Sequence, residues 1–539
     1  SYIGLSNLVD LRAMESDKNR ILRIVRDTEL AHPGIYLVEA FLTDAVDGDQ
    51  AAKYLLQGYA DNGIDVNFHQ FVNDWKELVR LFLVENSHSR ILSWFLKRKV
   101  ARRDDFRCCL TRVPCRFWDV FPIIPPTAFC IREQRLYDML GAFTTPFHQD
   151  LLKDQNLKNQ PRNHLTLSKD AELVFSSGLI KFENLGRAKY EILYNNIGGK
   201  SPAIYTAQRI FDWRCDLADH SKSGIDSPDP GLLEIHSRLS CALKWTDIAT
   251  KIDSRSCVRQ SQRKESNPFT QTITTGLFAV WSKFPDFIRF QTYRFLRTAG
   301  SYFYGRTIPG VQRLPFGMYL KYGPENHAAR HAGEFNALKL VRSQTSVPVP
   351  RPIDLLLSRT ESFLVTSRIE GGPAGLAIDE CSSEEMHLMA EDLRSWIAQL
   401  RSMKRDRDSE YAITNATGGP CLDYRISADP VGPFRSEEEF VESLRLGILP
   451  DLVHRTGYQI VFTHSDLNMR NILVKNGRIT GIVDWENAGW FPEYWEYTKC
   501  HFAVTIQKRW LKMIDGVFEN KYGTEEKIER QYWAYHSAW

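Results

Sequence analysis

Residues 462–485, FTHSDLNMRNILVKNGRITGIVDW, decide how the second half of the chain folds. The Asn-Gly pair at 476–477 separates two β-prone runs, and Asn-Gly is a dipeptide that two-residue hairpin turns favour. A hairpin centred on this turn places Asn471 opposite Ile482, two residues before Asp484. The stretch therefore predicts a hairpin that brings an amide oxygen and a carboxylate toward one another.

The loop before this hairpin adds two polar side chains, so that the stretch has the pattern H-x-D-x-x-x-x-N from His464 through Asp466 to Asn471. Mg²⁺ takes hard oxygen ligands and leaves room for phosphate oxygens, which suits Asn471 together with Asp484. Asp466, a carboxylate that does not hold the metal, can take a proton from an attacking hydroxyl. We predict that His464 holds this catalytic loop by hydrogen bonds. The set predicts a phosphoryl-transfer site, and a surface hairpin with scattered polar residues explains its order and spacing poorly.

The same stretch closely resembles the catalytic and metal-binding segments of aminoglycoside phosphotransferase and choline kinase-like enzymes. The resemblance is greatest to the fungal branch, whose segment ends in Asp-Trp-Glu, here Asp484-Trp485-Glu486. It implies a bilobal protein-kinase-like domain that binds ATP and Mg²⁺. It also implies that the acceptor is a small molecule with a hydroxyl group.

Segments further upstream match the other parts of such a domain. The strand LPFGMYLK ends on Lys321, and Glu334 begins a helical pattern. In the family that this segment resembles, the strand lysine holds the nucleotide phosphates and the helix glutamate orients the lysine. A later strand leads into what resembles the hinge between the lobes, where adenine would meet backbone groups between Thr366 and Ile369.

Composition sets the outer limits of the prediction. A chain of 539 residues is too long for one ordinary core and predicts about two to four domains. The net charge of +3 gives no electrostatic reason to expect a nucleic-acid or membrane partner. Ten cysteines without a C-x-x-C pair predict reduced thiols. Without a long apolar run or a signal-peptide pattern, the sequence predicts a cytoplasmic protein with no membrane span.

The pattern divides the chain into four parts and predicts an α+β protein. Residues 1–96 are typical of a mainly helical region, and residues 97–215 form a second domain. Residues 216–275 are polar and contain Pro and Gly, which predicts a linker with one apolar helix inside it. Residues 276–539 form the kinase-like domain.

The second of these parts resembles the HNH-nuclease-like domain found in many fungal proteins. The run RDDFRC is followed by FPIIP and NHLTLS, in the order of that family. The family has a His where this chain has Pro122, and its second His falls on Glu172, whereas Asn163 is retained. Proline can neither activate water nor bind a metal, and His164, next to the signature position, is not expected to replace the lost base. We predict a degenerate nuclease-like scaffold that does not act on nucleic acid.

The function predicted from the sequence is that of a small-molecule kinase, which moves the γ-phosphoryl group of ATP to a substrate hydroxyl in fungal secondary metabolism. Two alternatives are a kinase-like binding protein without activity and a divalent-metal-dependent nuclease in the first half. The presence of every polar residue of the chemical core favours the active kinase.

Overall fold

A computed structural model describes residues 16–61, 65–83, 92–116, 119–195, 214–259, 281, 283–304, 309–405, 409–427, 429–444, 454–502 and 507–536. The chain divides into two compact units, residues 1–260 and residues 261–539. Each unit contains both helices and antiparallel strands, as the α+β prediction requires. None of the helices in the described ranges combines the length and the apolar character that a membrane span needs.

The first unit is mainly helical with three small sheets. Its helices are α1 (Asp17–Asp27), α2 (Gly34–Asp44), α3 (Gly48–Tyr59), α4 (Phe68–Arg80), α5 (Trp94–Arg103), α6 (Gln134–Phe143), α7 (Pro146–Lys153), α8 (Lys169–Ser176) and α9 (Pro230–Arg259). Its strands are β1 (Ala60–Asp61), β2 (Asp65–Val66), β3 (Val120–Pro122), β4 (His164–Thr166), β5 (Ile180–Gly186), β6 (Lys189–Tyr194) and β7 (Arg214–Asp216). The strands pair as β1-β2, β3-β4 and β5-β6-β7.

One apolar core runs through the first unit, from α1 to α9. The ring of Phe41 in α2 lies 4.9 Å from that of Trp75 in α4, which in turn lies 5.0 Å from Phe143 in α6. These aromatic side chains are fully buried. The helical region 1–96 and the region 97–215, predicted as separate parts, are therefore packed around one core, because α2 and α4 bury their apolar faces against α6.

The structure also differs from the predicted linker, residues 216–275, of which residues 216–259 are described and residues 260–275 lie outside the described residues. Helix α9 fills much of that range, and its Leu232, Ile235 and Leu239 are completely buried in the core of the first unit. Their three- and four-residue spacing forms the apolar stripe of a packed helix. The polar, Pro-containing segment that precedes α9 has the composition of a linker, but the helix after it belongs to the first unit.

The second unit consists of two parts that follow one another along the chain. Its helices are α10 (Asp286–Tyr304), α11 (Ala328–Gln344), α12 (Ala374–Ala377), α13 (Ser383–Arg401), α14 (Glu437–Leu444), α15 (Trp495–His501), α16 (Lys508–Val517) and α17 (Gly523–His536). Its strands are β8 (Val311–Leu314), β9 (Met318–Pro324), β10 (Pro352–Leu357), β11 (Glu361–Ser367), β12 (Gly372–Pro373), β13 (Thr414–Asn415), β14 (Ile460–Thr463), β15 (Ile472–Lys475), β16 (Arg478–Ile482) and β17 (Gly489–Pro492).

A four-stranded antiparallel sheet in the order β10-β11-β9-β8 forms the first part of this unit. Helix α11 packs on β10 and β11, and α10 packs on β8. The approach of α10 is close at Gly300, where a Cβ atom would lie 2.1 Å from the carbonyl oxygen of Arg313. Lys321 pairs with Leu364 in the register of β9 with β11, so the lysine lies on an interior strand of the sheet.

The second part is built from helices around two small sheets, β12-β15-β16 and β13-β17-β14. Its core contains the completely buried rings of Trp485, Trp495 and Trp510. A small sheet-based part followed by a larger helical part is the bilobal order that the sequence predicts for residues 276–539. The strands β14, β15 and β16 carry the motif residues into this core.

Candidate active site

The hairpin of β15 and β16 forms as the Asn-Gly pair predicts. Asn476 and Gly477 have φ values of 52° and 69°, the left-handed conformation that a type I′ turn requires at both positions. Near the turn, Lys475 pairs with Arg478, but a bulge between Leu473 and Val474 shifts the register by one residue. The backbone N–H of Val483 donates to the carbonyl of Asn471 at 2.8 Å.

The register prediction for Asn471 was therefore wrong by one position, since Val483 and not Ile482 lies opposite it. The cause is the bulge, which inserts one additional residue into β16. The correction moves Asn471 nearer to Asp484 along the hairpin. Asp484 itself lies two residues after the end of β16 and is in the left-handed conformation, with φ 70° and ψ 61°. A non-glycine residue held there is a strained backbone position, of the kind that clusters at functional sites.

Asp484 is joined to the four-stranded sheet through a lysine. The Nζ atom of Lys321 lies 2.5 Å from an oxygen of Asp484 and 2.6 Å from an oxygen of Glu334. The sequence separates Lys321 from Asp484 by 163 positions, and β9, α11 and the end of β16 bring the three side chains together. The predicted lysine–glutamate pair is thus present in the structure, and Asp484 is its third member.

Two opposing influences set the pKa values of these carboxyl groups. Burial raises the pKa values, and the positive charge of Lys321 lowers them. Burial raises the pKa of Glu334 to about 7, although Lys321 opposes that rise. Burial would also raise the pKa of Asp484, but the ammonium group of Lys321 holds it below its usual value. Burial and the negative charge of Asp484 raise the pKa of Glu486. The site is therefore a cluster of carboxylates around one half-buried lysine.

The carboxylates of Glu334, Asp484 and Glu486 can reach one another closely enough to hold a cation, with ligand atoms within 4.8 Å. Carboxylate oxygens are the ligands that Mg²⁺ prefers. The sequence analysis predicted Asn471 and Asp484 as the metal ligands. Glu486, the last residue of the Asp-Trp-Glu ending, was not among the predicted ligands, although its position two residues after Asp484 places it in the same segment.

His464 lies in the loop between β14 and β15 and is completely buried. Its Nε2 atom is 3.0 Å from the carbonyl of Val483, and its Nδ1 atom accepts a bond of 3.2 Å from the backbone N–H of Asp466. These partners require a neutral ring protonated at Nε2. His464 thus connects the loop to the residue before Asp484, an arrangement that suits its predicted supporting role.

A second connection holds the backbone of the same loop. The carboxylate of Glu496 in α15 accepts from the N–H of His464 at 2.6 Å and from that of Ser465 at 3.4 Å. Ser465 has a φ of 61°, so the loop turns sharply at this point. Sequence reasoning missed Glu496 because nothing in the spacing connects it to residues more than thirty positions earlier.

The carboxylate of Asp466 is held at both oxygens and remains 15% exposed. One oxygen accepts from the Asn468 side chain at 2.9 Å, and the other accepts from the Asn471 side chain at 2.8 Å. Because the amide nitrogen of Asn471 donates to Asp466, its amide oxygen is the atom that could bind a cation. The structure therefore brings Asp466 and Asn471 into direct contact, and Asn468 is an additional contact.

The two predicted hinge residues lie where β11 leaves the sheet. Thr366 is a buried residue of β11 that pairs with Tyr319, and Ile369 packs over Gly481, where a Cβ atom would meet its side chain at 2.5 Å. The N–H groups of Ser367 and Arg368 donate to the carbonyls of Arg351 and Gly317. Adenine could not use those two donors, which restricts the predicted hinge contact to the remaining backbone groups.

The segment of the first unit for which the sequence predicts a nuclease-like scaffold has a different environment. Pro122 in β3 pairs with His164 in β4, and the side chain of Asn163 both accepts from and donates to the backbone of Ile124, at 2.9 Å each. His164 is completely buried, and burial lowers its pKa to about 4. Burial raises the pKa of Glu172 in α8. The side chains of Asn163 and His164 therefore bond to backbone groups.

The sequence of the second unit matches a family of phosphotransferases. Residues 284–530 match the sequence model of the phosphotransferase enzyme family, so the C-terminal half contains a domain of that family. This match confirms the prediction that the chain is an enzyme, an ATP-dependent phosphotransferase that acts on an alcohol group. None of the curated proteins has a sequence that matches this chain.

Several solved structures share weaker similarity with the chain. Aminoglycoside phosphotransferase APH(3'')-Id from Streptomyces rimosus, in complex with ADP and streptomycin, is 17% identical, with 46% of this chain and 97% of that chain covered and a TM-score of 0.30. The streptomycin–ATP complex of APH(2")-IIa is 14% identical, with 42% and 79% covered and a TM-score of 0.30. With TM-scores this low, the assignment of the domain rests on the family match.

Proposed function

We propose that the second unit transfers the γ-phosphoryl group of ATP to a hydroxyl group of a small molecule. The observation that carries this proposal is the junction at the end of β16. Lys321 contacts both Glu334 and Asp484 there, and His464 connects the preceding residue to the loop of Asp466. One continuous set of contacts thus joins the candidate phosphate-binding lysine to the candidate base.

Each residue has a role that its surroundings support. Asp466 takes the proton of the acceptor hydroxyl. The oxygen of that hydroxyl forms a bond to the γ-phosphorus, and the bond from the γ-phosphorus to the ADP oxygen breaks. Lys321 orients the phosphates, and Glu334 orients Lys321. The products are a phosphate ester and ADP, and the proton remains on Asp466 until it is released to solvent.

The residues present fit a divalent cation. Asp484 supplies a carboxylate, Asn471 supplies an amide oxygen, and Glu486 supplies a second carboxylate within reach of the first. When bound, Mg²⁺ supplies neutralisation of the phosphate charge that develops during transfer. We assign Asn471 and Asp484 as the ligands and Glu486 as an additional candidate.

For the acceptor, we propose an alcohol of fungal secondary metabolism. The fungal Asp-Trp-Glu ending of the catalytic stretch is the feature that suggests it. For the first unit, we propose a degenerate nuclease-like scaffold. The buried state of Asn163 and His164 supports a scaffold more than the alternative of an active nuclease.

A screen of candidate alcohols with γ-labelled ATP and Mg²⁺ tests the proposal. We expect transfer of label to at least one alcohol by the parent protein and almost none by Asp466→Asn. Binding of Mg–ATP without transfer to any alcohol or to water, by a correctly folded parent protein, would instead support the inactive binding protein.

A further inference from the structure

Lys499 is a buried lysine beside the candidate base, and nothing in the catalytic motif predicts it. It lies in α15, and its side chain is only 5% exposed. Glu496, which holds the backbone of the catalytic loop, lies three residues earlier in the same helix, and residues three apart share one helix face. One face of α15 therefore delivers both a carboxylate and an ammonium group to this loop.

The distances from Lys499 to its two partners show which carboxylate it contacts more closely. Its Nζ atom lies 3.3 Å from an oxygen of Asp466 and 3.9 Å from an oxygen of Asp423. Asp423 already accepts from Arg425 at 2.7 Å and from the indole of Trp495 at 3.0 Å. A buried ammonium group needs close partners to offset its lost hydration. Asp466 is the nearer of the two carboxylates, and the only one of them within hydrogen-bond distance of Lys499.

The contact falls on a defined atom of Asp466. Lys499 and the Asn468 amide both approach Oδ1, whereas the Asn471 amide donates to Oδ2. Rotation about the bond to a carboxylate group is soft, with broad and roughly two-fold preferences. Asn468 and Asn471 therefore donate one hydrogen bond to each oxygen, and Lys499 adds a positive charge beside Oδ1, 3.3 Å away.

We propose that Lys499 is a positioning residue, which fixes the orientation of the Asp466 carboxylate toward the acceptor hydroxyl. This inference rests on the proposed role of Asp466 as the base. Lys499 acts through Asp466 and is not assigned a contact with either substrate. A purely structural role, as a counter-ion of Asp423, is the alternative that the experiment must separate.

Kinetics of four variants separate these roles, with Mg–ATP as the probe and water as the acceptor. Lys499→Met removes the charge and keeps the length of the chain, and we expect kcat to fall by about 10- to 100-fold with the KM for ATP almost unchanged, as for a misplaced catalytic group. Lys499→Arg should restore most of kcat. In the Asp466→Asn background, Lys499→Met should add little further loss, because both changes remove the same positioned carboxylate.

Lys521→Met is the matched control. Lys521 lies 3.3 Å from the carboxylate of Glu493, the same distance as in the Lys499 pair, but it is 59% exposed. Exposed ion pairs contribute little, so kcat should change by less than about twofold. An undiminished kcat in Lys499→Met would overturn the proposal. So would an equal additional loss in the Asp466→Asn background, or a lowered melting temperature that Lys499→Arg does not restore.

A crystal structure of Lys499→Met with a non-hydrolysable ATP analogue tests the geometry without a turnover assay. We expect the carboxylate of Asp466 to be rotated or split between orientations, and an unmoved, single orientation would contradict the proposal. If the carboxylate moves but the parent protein turns over no ATP, the failure lies with the proposed function and not with the positioning role of Lys499.

Discussion

Two antiparallel strand pairs of this molecule lie next to motifs that contain a histidine and an asparagine. The surroundings of these two motifs differ. In the first unit, β3 and β4 place Asn163 and His164 in the interior, where both are completely buried. In the second unit, β15 and β16 lead to Asp466 and Asp484, whose side chains remain 15% and 38% exposed. The histidine of each motif is buried and contacts a backbone carbonyl.

The difference lies in what accompanies the histidine. In the second unit, the buried His464 holds a loop that presents a carboxylate to the surface. In the first unit, the amide of Asn163 bonds to the backbone of Ile124 and of Lys158. The next residue, His164, pairs with Pro122, which has no charged group. Of the two motifs, that of the second unit is the one that leaves carboxylates accessible after its supporting bonds are made.

The largest expected effect concerns the accessible carboxylate. Asp466→Asn keeps the shape of the side chain but removes its proton acceptor, and we expect turnover to fall by about 10²–10⁴. Calorimetric titration should give an almost unchanged affinity for the nucleotide. Asp429→Asn, a change at an exposed position, is the control and should leave turnover as it is. Equal turnover in the parent and in Asp466→Asn would refute the assignment of the base.

The second expected effect concerns the cation. Asp484→Ala should weaken binding of Mg–ATP by about tenfold or more, and Asn471→Ala should weaken it less because the lost ligand is uncharged. Titrations with Mg²⁺ and with EDTA measure the difference. With EDTA, we expect Asp484→Ala to bind the nucleotide at least as well as the parent, because a negative charge is removed. Identical affinities of all three proteins in Mg²⁺ would argue against the ligand assignment.

The third prediction applies the comparison to the first unit. Asn163→Ala removes two buried hydrogen bonds with Ile124, and we expect the free energy of unfolding to fall by about 1–3 kcal/mol. Denaturant titration measures it, and Asn156→Ala, at an exposed position, should change it by less than about 0.5 kcal/mol.

The same variant tests for nuclease activity. We expect the full chain to leave supercoiled plasmid and single-stranded DNA intact in Mg²⁺, Mn²⁺ and Zn²⁺. Cleavage that survives Asp466→Asn but disappears in Asn163→Ala or His164→Ala would show that the first unit is a nuclease after all.

The smallest expected effect is a pH dependence of stability. An unfolded histidine takes up its proton near its ordinary pKa, whereas burial lowers the pKa of folded His164 to about 4. The unfolded state therefore binds more protons between these values, so stability falls as the pH decreases from about 6.5 toward 4. Denaturant unfolding at pH 7 and pH 5 should show a smaller difference for His164→Gln than for the parent. The same difference in both would indicate that folded His164 can be protonated.

Local sequence was sufficient where the interaction is short in range. The Asn-Gly turn, the carboxylate ahead of it and the order of the catalytic residues depend on neighbours along one hairpin and its loop. The register was predicted to within one residue, and the error came from a bulge between Leu473 and Val474. The pairing of Lys321 with Glu334 was expected from the family resemblance, because that family has a strand lysine followed by a helix glutamate.

The tertiary structure alone decided the remaining contacts. Glu496, Lys499 and the third member of the lysine group, Asp484, meet their partners across 31, 33 and 163 positions. Residues so far apart become neighbours only through the packing of helices and sheets. For the same reason, composition predicted a linker at 216–275. Helix α9 lies within this range, and its apolar side chains pack in the core of the first unit. Sequence by itself determined the chemistry of the hairpin, and packing decided which charged groups surround it.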